Sequence, residues 1–119
     1  MAGNDSEGLR YGVTGTPVKY FLSWREDETA KDKVSVSIRK TNEGYPIKLD
    51  KNLISLCSKE RFVEILHNFI VYDGGTKKTC RPNQFFGVKA AQDYIKRRAG
   101  GIIWHTQGSG KSLTMVWLS

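Results

Sequence analysis

Apolar positions in the second half of the chain repeat with a helical period. Phe62, Ile65, Leu66, Phe69 and Ile70 fall at i, i+3, i+4, i+7 and i+8, lining one face of a helix, and Ser58 is placed to cap its first turn. The run Phe69-Ile70-Val71-Tyr72 then meets Asp73-Gly74-Gly75, a strong stop. A second helix is predicted over residues 83–99, with Phe85, Val88, Gln92 and Ile95 along one face and Phe86, Ala90 and Tyr94 beside them. Gly100 and Gly101 end it, after basic residues that suit a helix C-terminus. Ile102, Ile103 and Trp104 follow without alternation, the pattern of a parallel strand buried on both faces. Residues 111–118 then resume a helix-compatible pattern, so the predicted order is strand, glycine-rich loop, helix.

The first half is less regular. Residues 9–24 mix aromatic and β-branched side chains with Gly12, Gly15 and Pro17, which predicts one or two short strands joined by turns. Residues 25–50 are charged and poorly periodic, and we read them as a linker in which 34–38 could form a short strand.

Composition adds limits. The 119 residues are about one domain in length, and 39% apolar with 26% charged content is globular. No stretch approaches the roughly 20 apolar residues that cross a bilayer. The acidic, polar first dozen residues do not read as a signal peptide. The expectation is a protein of the cytoplasm, away from membranes, in which Cys57 and Cys80 are reduced thiols. With His67 and His105 these cysteines form none of the close ligand pairs of a zinc site.

Charge is unevenly divided. Residues 1–73 carry eleven basic and eleven acidic side chains, whereas 74–100 carry Lys77, Lys78, Arg81, Lys89, Lys96, Arg97 and Arg98 against Asp93 alone. A block of this density points to a polyanion, nucleic acid or nucleotide phosphate, with a solvated helix face as the plainer alternative.

The chemistry concentrates in Gly108-Ser109-Gly110-Lys111-Ser112. Glycines free the backbone so that successive N–H groups can face phosphate oxygens, and the following helix adds the positive end of its dipole. Lys111 is the expected catalytic residue, placing its ammonium on the β- and γ-phosphates of ATP. The Ser112 hydroxyl is the expected Mg2+ ligand. Thr106, Gln107, Gly108, Ser109 and Gly110 complete the expected nucleotide-binding loop. The pattern G-x-x-x-x-G-K-[ST] wants glycine where this chain has His105, which we read as structural rather than as a metal ligand or general base. Gln84, 27 residues before Lys111 and at a predicted helix start, has an amide able to pair with the donor–acceptor edge of adenine.

Three segments, HNFIVYD (67–73), NQFFGVKAA (83–91) and IIWHTQGSGKSLTM (102–115), resemble the restriction (motor) subunit of type I restriction-modification systems. The histidine at 105 is itself typical of that family, and residues 3–27 are more loosely similar to the segment leading from its nuclease domain into its motor. The resemblance implies an α/β fold. Residues 1–48 would be the end of a nuclease-type α/β domain with its linker. Residues 49–119 would be the beginning of an incomplete RecA-like P-loop domain of the superfamily 2 helicase type.

It also implies an ATP-hydrolysing translocase of double-stranded DNA, partnered by modification and specificity subunits and cleaving DNA as a type I endonuclease. The chain has no E-x-K or D-x-K tripeptide, so the nuclease metal core is not expected in it. We expect an internal piece of such a motor, inactive alone. Another superfamily 2 helicase-like motor, or a non-catalytic adaptor binding DNA or a partner through its basic helix, are the competing readings.

Overall fold

The computed structural model describes residues 1–108 and 110–119; Ser109 lies outside the described residues. The chain opens with three short antiparallel strands in the order β1 (Ala2–Asn4), β2 (Gly8–Tyr11), β3 (Leu22–Ser23), with Ala2 opposite Arg10 and Tyr11 opposite Leu22. In β2, Leu9 and Tyr11 point into the core while Arg10 faces solvent, the alternation of a half-buried strand. A 3-10 turn, Val18–Tyr20, carries the chain from β2 to β3. Two strands from residues 9–24 match the expectation, and β1 was not foreseen.

Residues 25–50 are not a linker. They hold helix α1 (Lys33–Asn42) and the start of α2 (Lys48–Cys57), and 34–38 is helical rather than extended. The Asp32 carboxylate accepts from the Ser35 N–H at 3.0 Å, capping α1, and Ser35 and Ile38 turn inward three residues apart. Because Ser35 contributes to the buried face, an apolar-only pattern could not register the helix.

Helix α3 (Lys59–Asn68) holds Phe62, Ile65 and Leu66 of the predicted stripe, but Leu66 is exposed, Phe69 is the C-cap and Ile70 already belongs to the next strand. Ser58 stands at its N-cap position, but its hydroxyl makes no capping bond. The stop at Asp73-Gly74-Gly75 is the tip of a hairpin, β4 (Ile70–Asp73) with β5 (Thr76–Thr79), in which Tyr72 lies opposite Lys77. Helix α4 (Pro82–Lys96) ends three residues before the predicted limit. Arg98, at φ 53°, takes the left-handed position, and the Ala99 and Arg98 N–H groups return to the carbonyls of Tyr94 and Ile95. This is a Schellman-type ending without its usual glycine.

One correction bears directly on the site. Residues 102–104 form no strand: they are irregular, with Ile102 91% and Trp104 87% exposed. A strand needs hydrogen-bonding neighbours, and among the described residues both sheets are antiparallel and lie elsewhere in the chain. Helix α5 (Lys111–Leu118) follows the loop as expected. The chain is therefore mixed helix and strand. No helix is long and apolar enough to cross a membrane.

One core joins the two halves of the sequence. Trp24 packs against Tyr11, Phe85 and Phe86 at ring-centroid distances of 6.0, 5.5 and 5.8 Å, and Phe69 against Phe85 at 4.9 Å. Leu9, Leu56, Ile65, Cys80 and Val88 complete the cluster. At its edge lies Arg61, 1% exposed, its guanidinium 5.2–5.6 Å from the Trp24, Phe85 and Phe86 rings. It pairs with Glu26 and donates to the Ser55 carbonyl at 3.0 Å and the Ser35 hydroxyl at 2.8 Å. One side chain thus ties α1, α2, α3 and the segment after β3. The paired charge and cation–π contacts offset the cost of taking a guanidinium out of water.

Candidate nucleotide site

The loop that carries the glycine-rich motif runs along α4 and ends at the start of α5. Gly110 is the N-cap of α5, at φ 83° and ψ 36°, a left-handed conformation that glycine adopts without steric penalty. Having no side chain, it gives no cap to the amides of the first turn, and these are the groups that bind anions at helix starts. Gly108 is also left-handed, at φ 76°, and a Cβ there would meet nothing within 4 Å. Lys111 and Ser112 are exposed on the first turn of α5, and Gln107 is exposed in the loop. Among the described residues Lys111 has no ion-pair partner.

Gln84 is brought to this loop, though not on an open surface. It is 2% exposed, and its Oε1 accepts from the Arg81 N–H at 2.8 Å, closing the first turn of α4. Its Nε2 donates to the Gly110 carbonyl at 2.9 Å. That carbonyl also accepts from the Thr114 N–H at 3.2 Å and the Thr114 hydroxyl at 3.3 Å. A Cβ on Gly110 would stand 2.2 Å from Gln84 Nε2, so the contact itself requires glycine. One amide hydrogen and one lone pair of Gln84 are left by these two bonds.

His105 is half-buried, with its ring against Gly87 of α4, and among the described residues its buried Nδ1 has no hydrogen-bond partner. Gly87 and Thr114 were not anticipated as part of this region. Gly87 had a signal: a glycine inside an otherwise amphipathic helix costs about 1 kcal/mol and so implies a packing reason.

The basic block is partly neutralised within the fold. Lys89 pairs with Glu64, Lys78 with Asp73 and Arg97 with Asp93, while Arg81, Lys96 and Arg98 remain exposed at the two ends of α4. A count confined to 74–100 could not see Glu64 and Asp73, which come from outside that window.

Comparison with known proteins places this architecture. Residues 83–119, α4 through α5 with the loop between them, match the family model of the SWI2/SNF2 ATPase, a helicase-like motor. The chain as a whole is 32% identical over 131 residues to the type I restriction enzyme MjaIXP endonuclease subunit of Methanocaldococcus jannaschii, a match that covers 94% of this chain and 12% of that protein. The MjaVIIIP endonuclease subunit of the same organism is 26% identical over 123 residues, covering 93% of this chain and 12% of the relative. Over nearly its whole length the chain resembles the endonuclease subunits of type I restriction enzymes, and it spans about an eighth of the length of these relatives. No solved structure matches.

Proposed function

We propose that this chain is a segment of the ATP-driven DNA translocase and endonuclease subunit of a type I restriction enzyme, carrying its first nucleotide-binding motif. In this reading residues 1–48 close the nuclease part and 49–119 open the first RecA-like domain. The observation that carries it is the start of α5: a helix N-terminus whose N-cap is glycine and gives no side-chain cap, with Gly108 and Gly110 both left-handed and Lys111 and Ser112 exposed on its first turn. It lies inside the stretch that matches a motor ATPase.

These residues fit an ATP·Mg2+ group. The first-turn amides and the Lys111 ammonium would hold phosphate oxygens, and the Ser112 hydroxyl would be a metal ligand. ATP with its Mg2+ supplies the phosphoryl group whose transfer to water drives the motor. The protein's part is to position and to neutralise charge. Lys111 counters the anion, the glycines let the backbone approach it, and the α5 dipole favours it. The remaining hydrogen and lone pair of Gln84 would read adenine. Double-stranded DNA, with modification and specificity subunits, would be the partners. Arg81, Lys96 and Arg98 are the exposed cations available to a phosphate backbone.

The exposed apolar run at 102–104 supports the same reading. Its side chains have the character of a central strand, and neighbouring parallel strands of a motor domain would cover them. The test is Lys111→Ala in the restriction subunit assembled with its partners. ATP turnover, translocation and ATP-dependent cleavage are expected to be lost with DNA binding retained, and near-normal turnover would overturn the proposal.

A further inference from the structure

His105 occupies the position where the phosphate-loop pattern calls for glycine, and the structure gives this departure a partner. Gly87 lies in the interior of α4. The atoms that a Cβ there would meet within 4 Å are His105 Nε2 at 3.1 Å and His105 Cε1 at 3.4 Å. The imidazole therefore rests in a notch that exists because residue 87 has no side chain. Three residues earlier on the same helix, Gln84 holds the Gly110 carbonyl. Residues three apart share a helix face. One face of α4 thus grips the loop at its first position, through His105, and at its last, through Gly110.

We propose that this face of α4 is a template that presets the phosphate loop, with His105 and Gln84 as positioning residues. Between these two anchors the described residues form no helix or strand; Gln107 and Gly108 make a turn, with Gly108 left-handed. An unfixed loop would have to be ordered by the nucleotide, at the expense of affinity. The imidazole takes up by packing what a glycine at 105 would leave open. The inference rests on the phosphate-site reading, but the contact it invokes is measurable without nucleotide.

The experiment is a double-substitution cycle at 87 and 105. Gly87→Ala is expected to be mild, because His105 need yield only a few tenths of an ångström and alanine favours the helix. Gly87→Leu puts a side chain where the ring sits, and should weaken ATP·Mg2+ binding and raise KM by about tenfold in the restriction subunit, with kcat changed less. His105→Gly restores the general pattern but empties the notch, for a loss of about threefold. The Gly87→Leu/His105→Gly protein, in which leucine fills the vacated space, should return to within about threefold of the unsubstituted affinity. Additive losses in the double variant would overturn the template.

Melting temperatures of the same four proteins, as the 119-residue chain without nucleotide, should show the same non-additivity. If the unsubstituted subunit binds no nucleotide, the phosphate-site reading has failed. The melting cycle then separately reports whether His105 is seated on Gly87. For Gln84, the Gln84→Met protein should lose GTP affinity as well as ATP affinity, the ATP loss being the larger because the adenine contact goes too. A loss confined to ATP would remove Gln84 from the template and leave it as a base reader.

Discussion

Two apolar regions of this chain have opposite fates. Around Trp24 the rings of Tyr11, Phe85, Phe86 and Phe69 close over one another, and even a guanidinium, Arg61, is taken into the cluster with its charge paired and its hydrogen bonds largely met. Some forty residues on from Arg61, Ile102 and Trp104 stand in solvent although they are at least as apolar. The difference is backbone hydrogen bonding rather than hydrophobicity. Helices α2, α3 and α4 satisfy their own N–H and C=O groups and can pack wherever their stripes meet, whereas an extended segment depends on a neighbour. The core closes on side chains from both halves of this chain, and in the motor proposed above neighbouring strands would cover the run at 102–104.

The sharpest way to break this comparison is to remove one residue from each region. Arg61→Ala leaves the Glu26 carboxylate, 12% exposed, without its counter-charge, and is expected to cost about 3–5 kcal/mol, a large fraction of the stability of a domain of this size. Trp104→Ala should stay within about 0.5 kcal/mol of the unsubstituted chain. Circular dichroism melts decide, and equal losses would erase the distinction. Replacing Arg61 by Met together with Glu26 by Leu should recover much of the stability, since an apolar pair requires no desolvated charge.

A second contrast lies between two left-handed glycines. Gly110→Ala meets both an unfavourable φ and the Gln84 amide at 2.2 Å, and should destabilise the chain by about 1–3 kcal/mol while weakening nucleotide binding. Gly74→Ala at the hairpin tip, φ 55° with nothing within 4 Å, carries the backbone penalty alone, about 1 kcal/mol. Thermal melts of both chains, with nucleotide titrations, check the ordering.

A smaller effect tests the unforeseen helix α1. Burial pushes the Asp32 carboxyl up, but its hydrogen bonds from Ser35, aided by Arg61 and Lys89, more than offset this and hold it below its ordinary 3.8. A depressed carboxylate contributes stability above the unfolded pKa and loses it as pH falls through the folded one. Asp32→Ala should therefore cost about 1 kcal/mol at neutral pH and progressively less below about pH 4. Melting temperature followed against pH would show the two proteins converging in acid.

The smallest perturbation is a reporter. Cys57 is exposed, while Cys80 is buried and its thiol is pushed up to about 12 by burial. Being raised, Cys80 contributes stability that is intact at neutral pH and declines only as pH climbs above the ordinary 9.0. A thiol reagent at pH 8 should label one cysteine in the native chain and two in denaturant; rapid native labelling of Cys80 would mean that the core opens.

Much of the architecture was legible because some elements need only local information. Helices α3 and α4 could be read from spacing, though the stripe drawn for α3 ran on into the following strand, and the loop from its glycines and Lys111. Helix α1 could not, because its inward face includes Ser35, a polar residue whose partner, Arg61, lies 26 positions away. The hairpin read only as a stop, since its register depends on Ile70 meeting Thr79 across the turn.

The sequence by itself determined that helices lie around 59–68, 82–96 and 111–118, which segment could cradle a phosphate, and the likeness to a restriction motor. Those features rest on neighbours within a few residues and on the chemistry of single side chains. Tertiary structure alone decided that Gln84 turns its amide to the Gly110 carbonyl and that His105 rests on Gly87. It also decided that Ile102 and Trp104 lie uncovered while Arg61 is buried. Each of these depends on what another part of the chain brings within a few ångströms, and hydrogen bonds and packing act at that distance whatever the separation along the sequence.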